Sequence, residues 1–226
     1  MFKLKLRRAF AFILAAALLA SAAAGCGGSG QSAGEEPAFR SFLDIPGITE
    51  EDIAAVAFLR ESVSQFSYAV NYSTEAFNEK NGELKGFAAL FCDWLTVLFE
   101  IPFLPRIVEW DELIEGLESG EFDFTGELTA NALRRQKYIM TDDIAQRQLI
   151  YIRTDNESSL QEIAASRPLR YAFLDGTTTI DDVRRHESRD FDEFFVDDYP
   201  HAYEMLISKK VDAFFDESPA EAAFDF

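Results

Sequence analysis

Leu117-Glu118-Ser119-Gly120-Glu121-Phe122-Asp123 and Leu206-Ile207-Ser208-Lys209-Lys210-Val211-Asp212 are two versions of one pattern. Each reads as the end of a helix, a charged turn and a buried strand with an aspartate at its second position, because the apolar period changes from 3.6 to 2 across the turn. In the first copy the helix begins at Trp110, carries Leu113, Ile114 and Leu117, and breaks at Ser119-Gly120. Two copies of one α-to-β step, separated by a region of different composition, predict an α/β protein with two similar lobes rather than one continuous sheet.

Working outward, Phe87, Leu90, Phe91, Trp94, Leu95 and Leu98 fall at i, i+3, i+4, i+7, i+8 and i+11. That apolar stripe predicts a helix whose whole stripe faces the core. Before it, Phe66 to Tyr72 alternates apolar and polar side chains as a half-buried strand does, and Asn81-Gly82 signals a tight turn ahead of Leu84. Thr49, with Asp52 three residues on, is a candidate N-cap for a helix presenting Ile53, Val56 and Val63, and ordered structure is expected to begin there. Between the two copies, Gln146 to Arg153 is an extended run that carries the chain from one lobe to the other, followed by a helix from about Ser158 to Ala165. Leu169 to Leu174 reads as a strand running into Gly176-Thr177-Thr178-Thr179 and a helix from Ile180, the arrangement that points backbone N–H groups at an anion. Phe191, Phe194 and Phe195 read as core of the second lobe, with a partner-binding patch as the alternative.

Lys3, Lys5, Arg7 and Arg8 precede an uncharged apolar run from Ala9 to Gly25, the basic and apolar regions of an export signal. A stable membrane span needs roughly 20 apolar residues, so this run is short for one. It ends in Ala23-Ala24-Gly25-Cys26, which resembles the bacterial lipoprotein box, with Ala23 where leucine is commoner. The resemblance implies a signal peptide over 1–25 and a lipidated, palmitate-bearing Cys26 on the extracytoplasmic face of the cell membrane; an uncleaved anchor is the alternative. Residues 26–48, with Gly/Ser composition from Gly27 to Gly34, then read as lipidated cysteine and flexible tether. Cys92 reads as a small core hydrophobe.

Composition sets the outer limits. With 48% hydrophobic residues, 22 Phe and 27% charged residues the chain is globular. Lys and Arg number 21 against 40 acids, and a formal charge of −19 argues against a nucleic-acid partner. Two cysteines exclude a disulfide framework. His186 and His201 are far apart, and Asp142-Asp143, Asp181-Asp182 and Asp197-Asp198 lack the spacing of a calcium loop, so neither metal nor cofactor is expected.

Five segments recur in a familiar order and spacing: Asn81-Gly82-Glu83-Leu84-Lys85-Gly86-Phe87; Trp110 through Asp123; Glu127-Leu128-Thr129 followed by Arg134; Asp175-Gly176-Thr177-Thr178; and Val211-Asp212-Ala213-Phe214-Phe215-Asp216. From about Phe66 to the C-terminus the chain thereby resembles the family 3 solute-binding proteins, extracytoplasmic receptors for amino acids and related small polar molecules. The resemblance implies a two-lobed type II periplasmic-binding-protein fold, with lobe 1 over 49–145 and the crossover and lobe 2 over 146–226, closing on a ligand in the cleft. It implies too that this fold is truncated at the C-terminus, because the family's return crossing to the first lobe has no counterpart before Phe226.

Site residues carry over position by position. Arg134 matches the family arginine that pairs a ligand carboxylate, which a guanidinium fork fits bidentately; a solvated arginine, like Arg135 beside it, is the other reading. Thr129 matches a hydroxyl holding the same carboxylate, against ordinary strand packing. Thr177 and Thr178 match second-lobe donors, and both also suit the capping of the following helix. Asp216 matches the acid that binds an α-ammonium group, against a helix cap before Glu217-Ser218-Pro219. Tyr72 matches an aromatic that packs on the ligand, against a buried strand tyrosine. Three departures bear on ligand identity: Glu75-Ala76-Phe77 where the family has Pro-Phe, Leu90 where it often has Asp, and Asn131 where it has Thr.

The function these readings imply is capture of an amino acid or similar small polar ligand by a monomeric lipoprotein that hands it to an ABC permease. The alternative is a ligand-sensing input domain with a signalling partner. The chain is read as a binding protein and not an enzyme; a catalytic relative, of which the family has dehydratases, needs a poised acid or base, for which Glu127 and Glu75 are at hand.

Overall fold

Thr49 opens the first helix as its side chain dictates: its hydroxyl accepts the Asp52 amide at 3.2 Å while the Asp52 carboxylate accepts the Thr49 amide at 3.0 Å, a capping box at the head of α1 (Glu50–Ser62). The computed structural model describes residues 39–155 and 158–224. The stretch expected to be a signal peptide, Cys26 and the Gly/Ser run lie outside the described residues. Order begins before Thr49: Phe42 and Ile45 are buried, and Phe42 stacks on Phe99 with ring centroids 6.1 Å apart. The tether argument rested on Gly and Ser, whereas Phe42 and Ile45 bring enough apolar surface to pack.

Strand β1 (Phe66–Val70) is buried at Tyr68, Ala69 and Val70 in succession, so it is covered on both faces and the expected alternation fails. Strands β2 (Phe77–Asn78) and β3 (Leu84–Lys85) make the hairpin that Asn81-Gly82 signalled, with Asn78 opposite Leu84 and Gly82 at φ 83°. Helix α2 (Phe87–Phe99) forms as expected but buries a different face. Ala88, Phe91, Cys92, Leu95, Leu98 and Phe99 are buried, while Leu90 is 70% and Phe87 43% exposed. At 100° per residue that face is rotated by roughly 70° from the stripe centre. The helix is apolar nearly all round, so periodicity left its phase open, and the small Ala88 and Cys92 let the backbone approach its neighbours. Burial pushes the Cys92 thiol up to about 12.

Strand β4 (Phe103–Ile107) leads to α3 (Trp110–Ser119), which ends on Gly120 in the left-handed region at φ 81°. Within α3, a Cβ on Gly116 would lie 2.3 Å from the Phe122 ring, so glycine is what lets Phe122 fold back onto Leu113, Val108 and Ala69. Strand β5 (Phe124–Thr125) and the single turn α4 (Arg134–Lys137) follow. Next come β6 (Leu149–Ile152), α5 (Leu160–Ala164), β7 (Leu169–Leu174), α6 (Thr179–His186), β8 (Phe191–Val196), α7 (Tyr199–Ile207) and β9 (Ala213–Glu217). In both copies of the α-to-β step the strand starts after the aspartate, not before it. The buried Asp212 carboxylate accepts from Arg167 at 2.6 and 2.7 Å and from the Arg170 amide at 2.9 Å, while the Asp212 amide donates to the Arg170 carbonyl at 2.8 Å, so the aspartate anchors the turn to β7 just ahead of the strand.

Three sheets result: β4-β1-β5, the hairpin β2-β3, and β6-β9-β7-β8. In the last, β7 runs parallel to β8 and β9, and β6 pairs antiparallel with β9. Its two faces follow the strand period of 2. Ala172, Leu174 and Phe214 pack with Ala202, Met205 and Leu206 of α7, while Tyr171, Phe173 and Phe215 pack with Leu160, Ile180 and Val183 of α5 and α6. Phe191 and Phe194 join these cores as expected, but Phe195 is 49% exposed.

By contacts the chain forms two units: one runs to Tyr68 and adds Ala88–Pro105 and Thr129–Ala145; the other comprises Ala69–Phe87, Arg106–Leu128 and Gln146–Phe226. Among the described residues no helix is long and apolar enough to cross a membrane.

Candidate functional site

Strand β9 brings Asp216 to the carboxyl end of the four-stranded sheet, the end at which open α/β sheets take ligands. Pairing β9 with the parallel strand β7 sets the β7 end and its Thr177 loop beside it. Asp216 is 7% exposed. Its Oδ1 accepts the Glu217 amide at 2.7 Å, and its Oδ2 is buried with no hydrogen-bond partner among the described residues. Burial, reinforced by the Glu217 and Glu127 charges, raises this carboxyl to about 7 against the opposing pull of the Glu217 amide. The nearby Tyr199 hydroxyl also favours the charged form, although no hydrogen bond of proper geometry reaches Oδ2. Tyr199 itself packs edge-on against Phe214 and Phe224, and burial followed by Asp216 pushes its hydroxyl well up.

Arg147, two residues before β6, gathers three further acids. Its Nε and Nη2 donate to Glu75 Oε2 at 3.1 and 2.5 Å, and its Nη1 donates to Glu127 Oε2 at 2.8 Å and Glu217 Oε2 at 3.1 Å. Its side chain is 13% exposed. Burial opposes its charge, and the Glu127, Glu75 and Glu217 carboxylates outweigh burial and raise it. Glu127 is raised in turn, because burial outweighs the attraction of Arg147.

Local backbone chemistry holds the acids in place. The Glu75 amide donates to Ser73 Oγ at 3.1 Å in a tight turn where Ser73 and Ala76 bond each other's backbones at 2.9 and 3.2 Å. Gly86, at φ 103°, lies against this turn so closely that a Cβ would sit 2.3 Å from the Glu75 carbonyl oxygen. The Thr74 amide donates to the Pro219 carbonyl at 3.0 Å, tying the turn to the chain just past β9. Trp110 of α3 donates its indole N–H to the Asp175 carbonyl at 2.6 Å, at the head of the Thr177 loop.

The residues singled out in the sequence fall into two sets. Arg134 and Thr129 belong to the first unit, where Arg134 Nη1 donates to the Thr129 carbonyl at 2.8 Å and the Arg134 amide donates to Asn131 Oδ1 at 2.8 Å. Asn131, the departure from the family threonine, thus caps the turn that carries Arg134. Asp216, Thr177, Thr178 and Tyr72 belong to the second unit. The Thr177 hydroxyl bonds the Leu174 carbonyl at 2.8 Å and lies 2.8 Å from that of Thr179. Thr178 is the N-cap of α6 without a side-chain capping bond, so its hydroxyl does not do the capping that the sequence suggested. Tyr72 lies beyond β1 and is 40% exposed, which removes the reading as a buried strand residue.

Sequence reasoning missed Arg147, Glu217 and Tyr199, and noticed Glu75 and Glu127 only as acids open to catalysis. The available signal was Arg147 opening an otherwise apolar strand run, and Glu75 standing where the resemblance called for proline. Three carboxylates share the one guanidinium of Arg147, and Asp216 lies outside that set of ion pairs. Among the described residues no group of three or more His, Cys, Asp and Glu is placed to hold a metal ion.

A family model described as bacterial extracellular solute-binding proteins, family 3, matches residues 66–218. Among solved structures, the ancestral amino acid-binding protein AncCDT-1, a precursor of cyclohexadienyl dehydratase, is similar with a TM-score of 0.56 at 19% identity, over 75% of this chain and 77% of its own. An ancestral arginine-binding protein bound to glutamine gives 0.58 at 17% identity, over 71% and 72%. Holo ArgBP from T. maritima gives 0.56 at 17%, over 74% and 75%. No curated protein matches the chain. At these identities the structural likeness carries the fold.

Proposed function

The chain belongs to the bacterial extracellular solute-binding proteins, family 3, and from that premise we propose that it captures an amino acid or a similar small polar solute outside the cytoplasm, binding it without turnover. Its fold is the α/β, two-lobed type II periplasmic-binding-protein fold. The observation that carries the reading is Asp216: a buried carboxylate at a strand's carboxyl end whose Oδ2 has no hydrogen-bond partner among the described residues. An α-ammonium group supplies the missing donor and the missing charge together. Arg134 and Thr129 then hold the ligand carboxylate, and Thr177, Thr178 and Tyr72 complete the contacts. Lipidation at Cys26 anchors the protein at the membrane, and an ABC permease receives the solute.

Thermal unfolding against a panel of amino acids and related polar solutes tests this. A ligand at 100 times its Kd stabilises the native state by about 2.7 kcal/mol, a shift of several degrees. The expected result is a shift confined to one chemical group of solutes and removed by Arg134→Ala. A cooperative transition that no solute moves overturns the reading.

A further inference from the structure

Helix α2 (Phe87–Phe99) is apolar nearly all round, yet one of its sides is open to water. Asp93 is the one charged residue among its thirteen, and a helix that is hydrophobic all round is ordinarily enclosed. Its inner side is buried at Phe91, Leu95 and Leu98. On its outer side Leu90 is 70% and Val97 59% exposed, with half-buried Trp94 between them. These three fall at i, i+4 and i+7, within about 60° of the helix circumference, and make one stripe roughly 10 Å long. Isolated apolar side chains on a surface are common, whereas several along one face mark a surface that meets something other than water. The chain enters the fold beside this stripe: the Trp94 indole donates to the Phe39 carbonyl at 3.0 Å, and Phe42 stacks on Phe99. Residues 26–38, thirteen in number, separate Phe39 from the expected anchor at Cys26 and span about 45 Å at most.

We propose that Leu90, Trp94 and Val97 form a membrane-contact face, which rests on a zwitterionic lipid surface when Cys26 is lipidated. This rests on the lipid anchor of the proposed function and adds a second contact to it. A stripe this small does not hold a free protein on a bilayer, but the tether makes the contact intramolecular and raises the local concentration of lipid at the face. Tryptophan suits the depth of the headgroup boundary, and the Trp94 N–H already has its acceptor in Phe39, so it enters without an unmet donor. Asp93 on the same helix and a formal charge of −19 disfavour anionic headgroups, which leaves uncharged lipid as the partner.

The test is spin labelling of the protein purified from the membranes of a bacterium expressing the full chain, with lipid on Cys26 checked by mass spectrometry, in phosphatidylcholine vesicles. A nitroxide is attached at Leu90→Cys, and for comparison at Phe195→Cys, which is 49% exposed in the second unit; Cys92 is buried and escapes the label. Collisions with oxygen, which concentrates in lipid, are measured against collisions with a nickel chelate, which stays in water. The oxygen-to-nickel ratio at position 90 is expected to exceed that at position 195 at least threefold, and Val97→Glu, a change at an exposed site, to bring the two within about 1.5-fold; circular dichroism confirms that each variant is folded. Equal ratios at the two positions, or a high ratio at position 90 unchanged by Val97→Glu, overturn the inference and leave the lipid anchor standing. Dipolar broadening between labels at position 90 assigns the stripe to a second copy of the chain and overturns it as well. Cys26 without lipid overturns the anchor and this inference together, and leaves solute capture untouched.

Discussion

At the residue scale, the balance around Arg147 is the sensitive point. Arg147→Met leaves Glu75, Glu127 and Glu217 facing one another without a cation, and removing one partner of a largely buried ionic group costs about 3 kcal/mol. Urea unfolding is expected to show that loss at pH 8 and a smaller one at pH 5. Burial raises Glu127 even with the guanidinium beside it, so without that cation its native carboxyl holds a proton more tightly than the unfolded chain does, and lowering the pH favours the native variant. Asp216 follows the same sign in the unaltered protein. Its native carboxyl, raised to about 7, lies above its unfolded value of about 3.9. The native state therefore binds the extra proton between about pH 4 and 7, and stability falls as pH rises through that window and is level above it. Asp216→Asn is expected to raise the melting temperature of the ligand-free chain at pH 8, by an amount equivalent to a few kcal/mol at most, and to change it little at pH 4. Asp216 was singled out in the sequence through the resemblance, as an acid for an α-ammonium group. Its ring of companions was not, because Glu75, Glu127 and Arg147 come from three separate stretches that only tertiary folding brings together.

At the element scale, turns and periods were more legible than phases. The Asn81-Gly82 hairpin, the Thr49 cap and the β7-loop-α6 passage are local chemistry and stand where the residues indicated. The burial of β1 on both faces and the rotated face of α2 depend on what packs over them, which a single sequence does not encode locally. Gly86 turns an element into a site feature. Gly86→Ala must place a Cβ 2.3 Å from the Glu75 carbonyl oxygen at a φ of +103°, whereas Gly82→Ala, at φ +83°, meets no atom within 4 Å. Equilibrium unfolding is expected to show a loss of about 1 kcal/mol for Gly82→Ala and clearly more for Gly86→Ala, with only Gly86→Ala displacing Glu75 from Arg147.

At the scale of the whole molecule, the repeated α-to-β step announced an α/β fold, and the order of motifs from Phe66 onward announced the family. The lobe boundary at 145/146 was expected from the extended run Gln146 to Arg153 together with the resemblance. A formal charge of −19 makes self-repulsion a global term. Raising NaCl from about 0.05 to about 0.5 M, which shortens the Debye length severalfold, is expected to increase the melting temperature. A fall would mean that local ion pairs such as those of Arg147 and Asp212 outweigh the net repulsion. One more property follows from the chain's two tryptophans. Trp94 belongs to the first unit and donates to the Phe39 carbonyl at 3.0 Å; Trp110 belongs to the second and donates to the Asp175 carbonyl at 2.6 Å. Each unit thus carries its own fluorophore in a fixed, hydrogen-bonded setting. Trp94→Phe leaves an emission spectrum that reports only on the backbone beside the Thr177 loop, and Trp110→Phe leaves one that reports only on the packing of α2, so the two halves of the protein can be followed separately by light, without a label.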